Sequence, residues 1–200
     1  MTKKILGTTI AIILILLATG GGFIAYTQYQ TGNAPWQTDN KNNQTTNQID
    51  TGPGLPMRLK IPAINVDAAV IYVGLTADGS VDVPKGPSEV AWYQLGTRPG
   101  QKGSAVITGH FGPWRDGSHS VFDNLHTLKT GDKIYLEDDQ GKEIVFVVKE
   151  SRIYQPDDSP EEVFNKNDGI YLNLITCQGD WLKNQKTYTQ RLVVFTELSP

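Results

Sequence analysis

One thiol, one imidazole and one guanidinium stand out in this 200-residue sequence as side chains whose types complement each other chemically. Cys177 closes the run Tyr171-Leu172-Asn173-Leu174-Ile175-Thr176-Cys177, His110 closes Ala105-Val106-Ile107-Thr108-Gly109-His110, and Arg191 lies within Tyr188-Thr189-Gln190-Arg191-Leu192-Val193-Val194-Phe195. Together they offer a nucleophile, a proton carrier whose ordinary pKa of about 6.5 lies nearest neutrality, and a permanent donor for an oxyanion or a substrate carbonyl. Each also has a plainer reading. Free cysteines are among the most buried residue types, a lone histidine is usually a satisfied polar group, and an arginine on an edge strand is usually a solvated charge. Cys177 is the single cysteine, so neither an intramolecular disulfide nor a Cys-rich zinc site can form. A catalytic thiol needs a cationic neighbour to lower its pKa, which leads us to expect a partly exposed Cys177 that is labelled faster than a model thiol at low pH.

The elements that must position these groups read as strands. Short Val, Ile and Tyr-rich runs recur between turn signals, the pattern of an antiparallel β-barrel or sandwich. The expected strands are 58–61, 66–73, 81–83, 90–93, 104–108, 133–137, 143–152, 169–176 and 190–197, with Asp139-Gln140-Gly141 as a hairpin signal. The 169–176 strand is expected to stop at Gln178-Gly179-Asp180, leaving Cys177 at a strand end where loops can shape a pocket. Helix is scarce: 120–128 could form a short one, and Ser159-Pro160-Glu161-Glu162 reads as a capping box opening one or two turns. The fold class is therefore all-β with a few short helices.

Ahead of this domain lie two other regimes. Residues 1–4 form a basic flank, and 5–26 are mostly Ile, Leu, Ala and Gly, with no charged residue from Ile5 until Asp39. About 20 apolar residues span a bilayer core, so 5–26 reads as a transmembrane signal anchor rather than a cleaved signal. The lysines before it and Phe23, Tyr26 and Tyr29 after it orient the remainder outside, giving a single-pass membrane protein with an extracellular domain. Residues 27–56 include 16 Thr, Asn or Gln and six Gly or Pro, too little apolar surface for a core, and read as a disordered polar stalk. The remaining domain is 57–200. The formal net charge of -3 supplies no basic excess for phosphate backbones, so nucleic acid is not an expected partner.

The strings TGH at 108–110, LITC at 174–177 and QRLVVF at 190–195, in this order behind an anchor, resemble the sortases of Gram-positive bacteria. The lead-in LKIPAINVDAAV at 59–70 and the segment RPGQKGSAVITGHFG at 98–112 look most like the class F branch, more than class D or E. The resemblance implies a closed eight-stranded β-barrel and a cysteine transpeptidase acting on an LPxTG-like sorting signal. By position, Cys177 would attack the signal's Thr carbonyl to give a thioacyl-enzyme. His110 would protonate the leaving amine and deprotonate the incoming one, commonly of a peptidoglycan precursor, and Arg191 would hold the carbonyl or oxyanion. In that family the active form pairs a thiolate with an imidazolium, a minor population at neutral pH. Thr176 and Trp181 are the expected substrate-binding residues, with the loops 155–168 and 178–188 shaping the signal pocket. Asn173 departs from the family's TLxTC pattern, which bears on the subclass more than on the chemistry.

No cofactor or metal is expected. His119 and His126 read as solvated, there is no HExxH, and the acidic residues Asp78, Asp82, Glu137, Asp138 and Asp139 form no EF-hand loop, although they offer oxygens to calcium. Two rival readings stay open from the residues alone: a secreted cysteine peptidase that passes the acyl group to water, and a stalked binding domain with an inert thiol. Nor does the sequence select a carboxylate to orient His110, with Asp116 and Asp123 merely near it in the chain.

Overall fold

The computed structural model describes residues 52–200. The basic flank, the apolar segment and most of the expected stalk lie outside the described residues. Among the described residues no helix is long and apolar enough to cross a membrane.

Eight strands close into a barrel: β1 (Pro56–Ile61), β2 (Val66–Val73), β3 (Val90–Tyr93), β4 (Gly103–Gly109), β5 (Lys133–Asp138), β6 (Glu143–Tyr154), β7 (Ile170–Leu182) and β8 (Thr187–Leu198). Around the barrel the order is β1-β2-β3-β4-β7-β8-β6-β5, and β5 pairs back to β1. The expected antiparallel arrangement holds for six contacts. It fails for β2 with β3 and β4 with β7, which are parallel because long connections, not hairpins, join them.

Period-two alternation decides what is inside. Leu59, Ile61, Ala105, Ile107, Leu136, Phe146, Leu172, Leu174, Leu192 and Val194 point into the barrel and make its core. Fully burying a side chain of this size contributes about 1.5–3 kcal/mol, so the filled interior is the main source of stability. The barrel is therefore packed rather than hollow, and chemistry must happen on its outer face. There Val106 of β4, Ile175 of β7 and Val193 of β8 form a second apolar cluster with Val163 and Phe164.

Several expected elements differ in instructive ways. Val81–Val83 is not a strand: one bridge joins Val81 to Leu75, and Pro84 then removes a backbone donor. Residues 120–128 form turns and one 3-10 turn at Leu125–Thr127. Their backbone is claimed by tertiary partners, since the Val121 amide donates to Pro87 O at 2.7 Å and that of Phe122 to His110 O at 3.0 Å. Phe122 and Leu125 are thereby fully buried in the barrel core. The single-turn helix α1 (Glu161–Phe164) starts as expected, but Pro160 is its N-cap and no side chain caps it. Glu162 cannot reach back because its carboxylate receives the Tyr154 hydroxyl at 2.8 Å and Arg152 at 3.3 Å.

Fixed contacts also begin before Met57. The Gly54 and Leu55 amides donate to the carboxylates of Asp138 and Asp139 at 2.8 and 2.9 Å, and Arg98 donates to Pro53 O at 2.9 Å. Asp138 additionally accepts from the amides of Gln140 and Lys142, which closes the β5–β6 turn. These two carboxylates, whose oxygens the sequence offers to calcium, are thus structural clamps.

Candidate active site

Strand register brings the three chemical groups together. β4 runs parallel to β7 with Thr108 opposite Ile175, so Gly109 falls beside Thr176 and His110 beside Cys177. The Thr176 hydroxyl fixes this step by donating to Gly109 O at 2.8 Å. On the other side of β7, Cys177 lies directly opposite Arg191 of β8. Directly opposed residues have Cβ atoms about 4.5–5.5 Å apart. By alternation all three belong to the outer face that carries Val106, Ile175 and Val193. A row of His110, Cys177 and Arg191 thus crosses three adjacent strands, at the head of an apolar floor.

The row sits in a cleft of about 1550 Å³. One wall is the β6–β7 connection with α1, held down by two polar ties: Asn173 Nδ2 donates to Val163 O at 2.7 Å and Ser104 Oγ to Lys166 O at 3.0 Å. Asn173, where the family pattern has Thr, is therefore buried and anchors the pocket wall. The other wall is the loop after His110 together with the β7–β8 hairpin. Here the expected loop 178–188 is corrected, because β7 continues past Cys177 to Leu182 and β8 begins at Thr187. What the sequence marks at Gln178-Gly179-Asp180 is a bulge: Gln178 pairs with Gln190 and Trp181 with Tyr188, leaving one extra residue in β7. Gly179 sits there at φ 85°, a value that suits glycine. The bulge turns the strand without ending it, and so Cys177 is held rigidly within a ladder.

His110 takes its orientation from a backbone carbonyl. Its Nε2 donates to Pro84 O at 2.6 Å, and its ring lies 4.8 Å from that of Trp114. The strap that carries Pro84 is secured by the Thr108 hydroxyl donating to Asp82 O at 3.2 Å. Neither nearby carboxylate takes this role. Asp123 accepts from the Gly112 and Ser120 amides and pairs with the exposed His119, and Asp116 accepts from Ser118. His126 donates to Asp123 O, and no group of three potential ligands exists among the described residues. Arg191 is held by its own hairpin, donating to the carbonyls of Tyr188 and Gln190 and to Thr187 Oγ1 at 3.0–3.2 Å. Among the described residues, none of the three hydrogen-bonds to another.

Cys177 is half-buried. Burial pushes its thiol above the ordinary value of 9.0, and the Arg191 charge opposes that push only in part. The expected partial exposure is present, while burial acts against the lowered thiol pKa that fast labelling at low pH would need. Alkylation of Cys177 by iodoacetamide should titrate with a midpoint above that of a free cysteine peptide; a midpoint below it would refute the burial argument. Because the folded pKa is raised, the neutral thiol's contribution to stability is present below the unfolded pKa and is lost as pH rises through the folded one.

Thr176, expected to contact substrate, spends its hydroxyl on Gly109 and is 2% exposed. Trp181 is 49% exposed at the cleft rim, 5.0 Å from the Tyr188 ring. The residues that sequence reasoning missed are Tyr188, Phe111, Trp114 and the Pro84 carbonyl. Tyr188 packs on Phe111 at 5.3 Å, and its phenol is raised by burial first and then by the charges of Cys177 and Asp123. The available signal was their adjacency to the expected site residues, with three aromatics within four residues of His110 or Arg191.

The family model described as the sortase domain matches residues 59–199. The chain belongs to the sortase family. This membership supports a cysteine transpeptidase as the general class of activity. No curated protein matches the chain. Among solved structures the sortase barrel is shared with the sortase D5 transpeptidase of Clostridium perfringens, at 20% identity and TM-score 0.54, covering 74% of this chain and 79% of that one. It is shared with sortase C1 of Streptococcus agalactiae, at 25% identity and TM-score 0.56, covering 72% and 66%. Sortase A of Corynebacterium diphtheriae is similar at 22% identity and TM-score 0.57, covering 74% and 62%.

Proposed function

We propose that this sortase cleaves an LPxTG-like sorting signal between Thr and Gly and transfers the protein to an amine of the cell wall or its precursor. The observation that carries the reading is the row of His110, Cys177 and Arg191 across β4, β7 and β8 above an apolar floor. In the acylation step the Cys177 thiolate attacks the Thr carbonyl carbon, and Arg191 stabilises the oxyanion. Because Pro84 O occupies Nε2–H, the His110 nitrogen that exchanges protons is Nδ1. His110 gives a proton to the leaving glycine amine as the C–N bond breaks. The incoming amine then attacks the thioacyl carbon, His110 takes its proton, and the thiolate departs. Since burial pushes the Cys177 thiol up, the thiolate that attacks is a minor population at pH 7.

In this reading residues 1–4 are cytoplasmic, 5–26 anchor the chain in the cell membrane, and the polar stretch from 27 up to the clamped Pro53 carries the barrel outward to its substrates. The class F likeness rests on the sequence strings alone. The deciding experiment incubates the detergent-solubilised chain with LPxTG-type peptides and an amine and follows masses. A thioacyl adduct and an amide product are expected. Failure across a panel of sorting peptides would reject the reading, and acid release without amide product would replace transferase by hydrolase. Arg191→Ala should lower kcat/KM by at least about 10²-fold, the usual loss for an oxyanion donor. Turnover near wild type would remove Arg191 from the mechanism.

A further inference from the structure

A group that gives a proton and later takes one must keep one ring nitrogen tied while the other works, a task often given to a carboxylate. His110 has none. Asp116 accepts from Ser118, Asp123 from the Gly112 and Ser120 amides, and the Asp82 carboxylate from the amide of its neighbour Val83 at 2.8 Å. The tie falls to Pro84 O, and a carbonyl orients a ring only as well as its own segment is held.

Residues 82–87 belong to no strand, so no ladder fixes them. Three of their carbonyls are instead gripped by β4 and the loop after it: Asp82 O by the Thr108 hydroxyl at 3.2 Å, Pro84 O by His110 Nε2 at 2.6 Å, and Pro87 O by the Val121 amide at 2.7 Å. Pro84 and Pro87 have fixed φ and no amide hydrogen, which makes the strap stiff enough to be set from its ends. Thr108 and His110 stand two apart on β4 and so share its outer face, and the carbonyls they grip are likewise two apart. Thr108 is buried, and the alternative acceptor for its hydroxyl, Ala91 O of its ladder partner, is farther away at 3.5 Å. Without the Thr108 tie, the imidazole would have to hold the strap that now holds it.

We infer that Thr108 is a positioning residue for His110, fixing through the strap the Pro84 carbonyl that ties Nε2 and leaves Nδ1 as the working nitrogen. Its kinetic consequence rests on the transpeptidase reading, while its effect on the ring does not. The bond joins two neutral groups, so it governs where the imidazole sits and adds no charge beside it. Its loss should therefore appear in turnover and leave the binding of the sorting peptide alone.

The test uses the full chain in detergent and compares Thr108→Val, which keeps the branched shape without the hydroxyl, Thr108→Ser, which keeps the hydroxyl, His110→Ala, and Thr108→Val/His110→Ala. Wild-type thioacyl formation is measured first; its absence would reject the transpeptidase reading and leave the ring measurement below to decide the positioning. Thr108→Val should lower kcat by about ten- to a hundredfold, the scale for a displaced catalytic group, with the peptide KM within about twofold of wild type. Thr108→Ser should recover most of the loss. In the His110→Ala background the same valine should cost less than about twofold, because a residue that acts through the imidazole then has nothing to position. Similar losses in both backgrounds, or a rise in KM alone, would make Thr108 part of the substrate wall and overturn the assignment. The second readout needs no turnover. In a chain carrying nitrogen-labelled histidine, the proton on His110 Nε2 should exchange with water at least about tenfold faster in Thr108→Val than in wild type, and Thr108→Ser should slow it again. Equal exchange rates in wild type and Thr108→Val would overturn the positioning role whatever the kinetics show. Should melting by circular dichroism find the valine variant unfolded, Thr108→Ala, which also lacks the hydroxyl, carries both comparisons.

Discussion

Cys177→Ala should give a folded protein that forms no thioacyl adduct and loses sorting-peptide cleavage by at least about 10³-fold, as removal of a covalent nucleophile does. The size of the loss follows from what else is within reach. Thr176 carries the adjacent hydroxyl, but it points inward and donates to Gly109 O at 2.8 Å. The adjacent hydroxyl therefore cannot take over as nucleophile. Folding should survive, because the thiol is half-buried on the outer face of β7 while the core is made by Leu172, Leu174 and Leu192. Mass spectrometry of peptide-treated wild type and variant, with circular dichroism of both, makes the comparison. An adduct on the alanine variant, or cleavage within tenfold of wild type, would mean that the bond is broken elsewhere.

The second large effect belongs to the imidazole. His110→Ala should lower kcat/KM by about 10²–10⁴-fold, the range for loss of a positioned general acid and base. The ring does little for stability, since its Nε2 bond to Pro84 O is its one hydrogen bond and its stacking partner Trp114 is itself in the cleft. Its role in proton transfer can be separated from a packing role. Amine nucleophiles need deprotonation in the second step and hydroxylamine, already weakly basic, needs it less, so the variant should lose less activity with hydroxylamine than with glycylglycine. Equal losses with both would reduce His110 to a structural part of the wall. The tautomer is checkable on its own: nitrogen chemical shifts of the neutral ring should report the proton on Nε2, and a proton on Nδ1 would break the assignment of the exchanging nitrogen.

The trio was legible because local pattern carried it. Alternation along 171–177 and 190–197 marks strands, and the chemistry of Cys, His and Arg narrows what an outer-face row could do. Three features were not legible, each because its cause is non-local. β7 continues beyond Cys177 because β8 pairs with it as far as Thr187, so that Gln178-Gly179-Asp180, which reads as a turn, becomes a bulge inside a ladder. Residues 120–128 have a helix-like composition, yet their amides are taken by Pro87 and His110 while Phe122 is drawn into the core. The partner of His110 is a main-chain carbonyl, which any residue could supply, and so no side-chain search finds Pro84.

By itself the sequence determined the composition of the domain and its alternation. Those facts settle an all-β chain with one thiol, because inward and outward residues repeat every two positions and only one cysteine exists to react. The tertiary structure decided the register. That Thr108 lies opposite Ile175 depends on the packing of strands more than 60 residues apart and on the Thr176 tie to Gly109, and that Cys177 lies opposite Arg191 depends on the register of the β7–β8 hairpin with its bulge. A slip of one residue would turn Cys177 into the filled core and leave His110 and Arg191 outside without it. Burial, likewise a property of the assembled barrel, pushes the Cys177 thiol up against the opposing charge of Arg191.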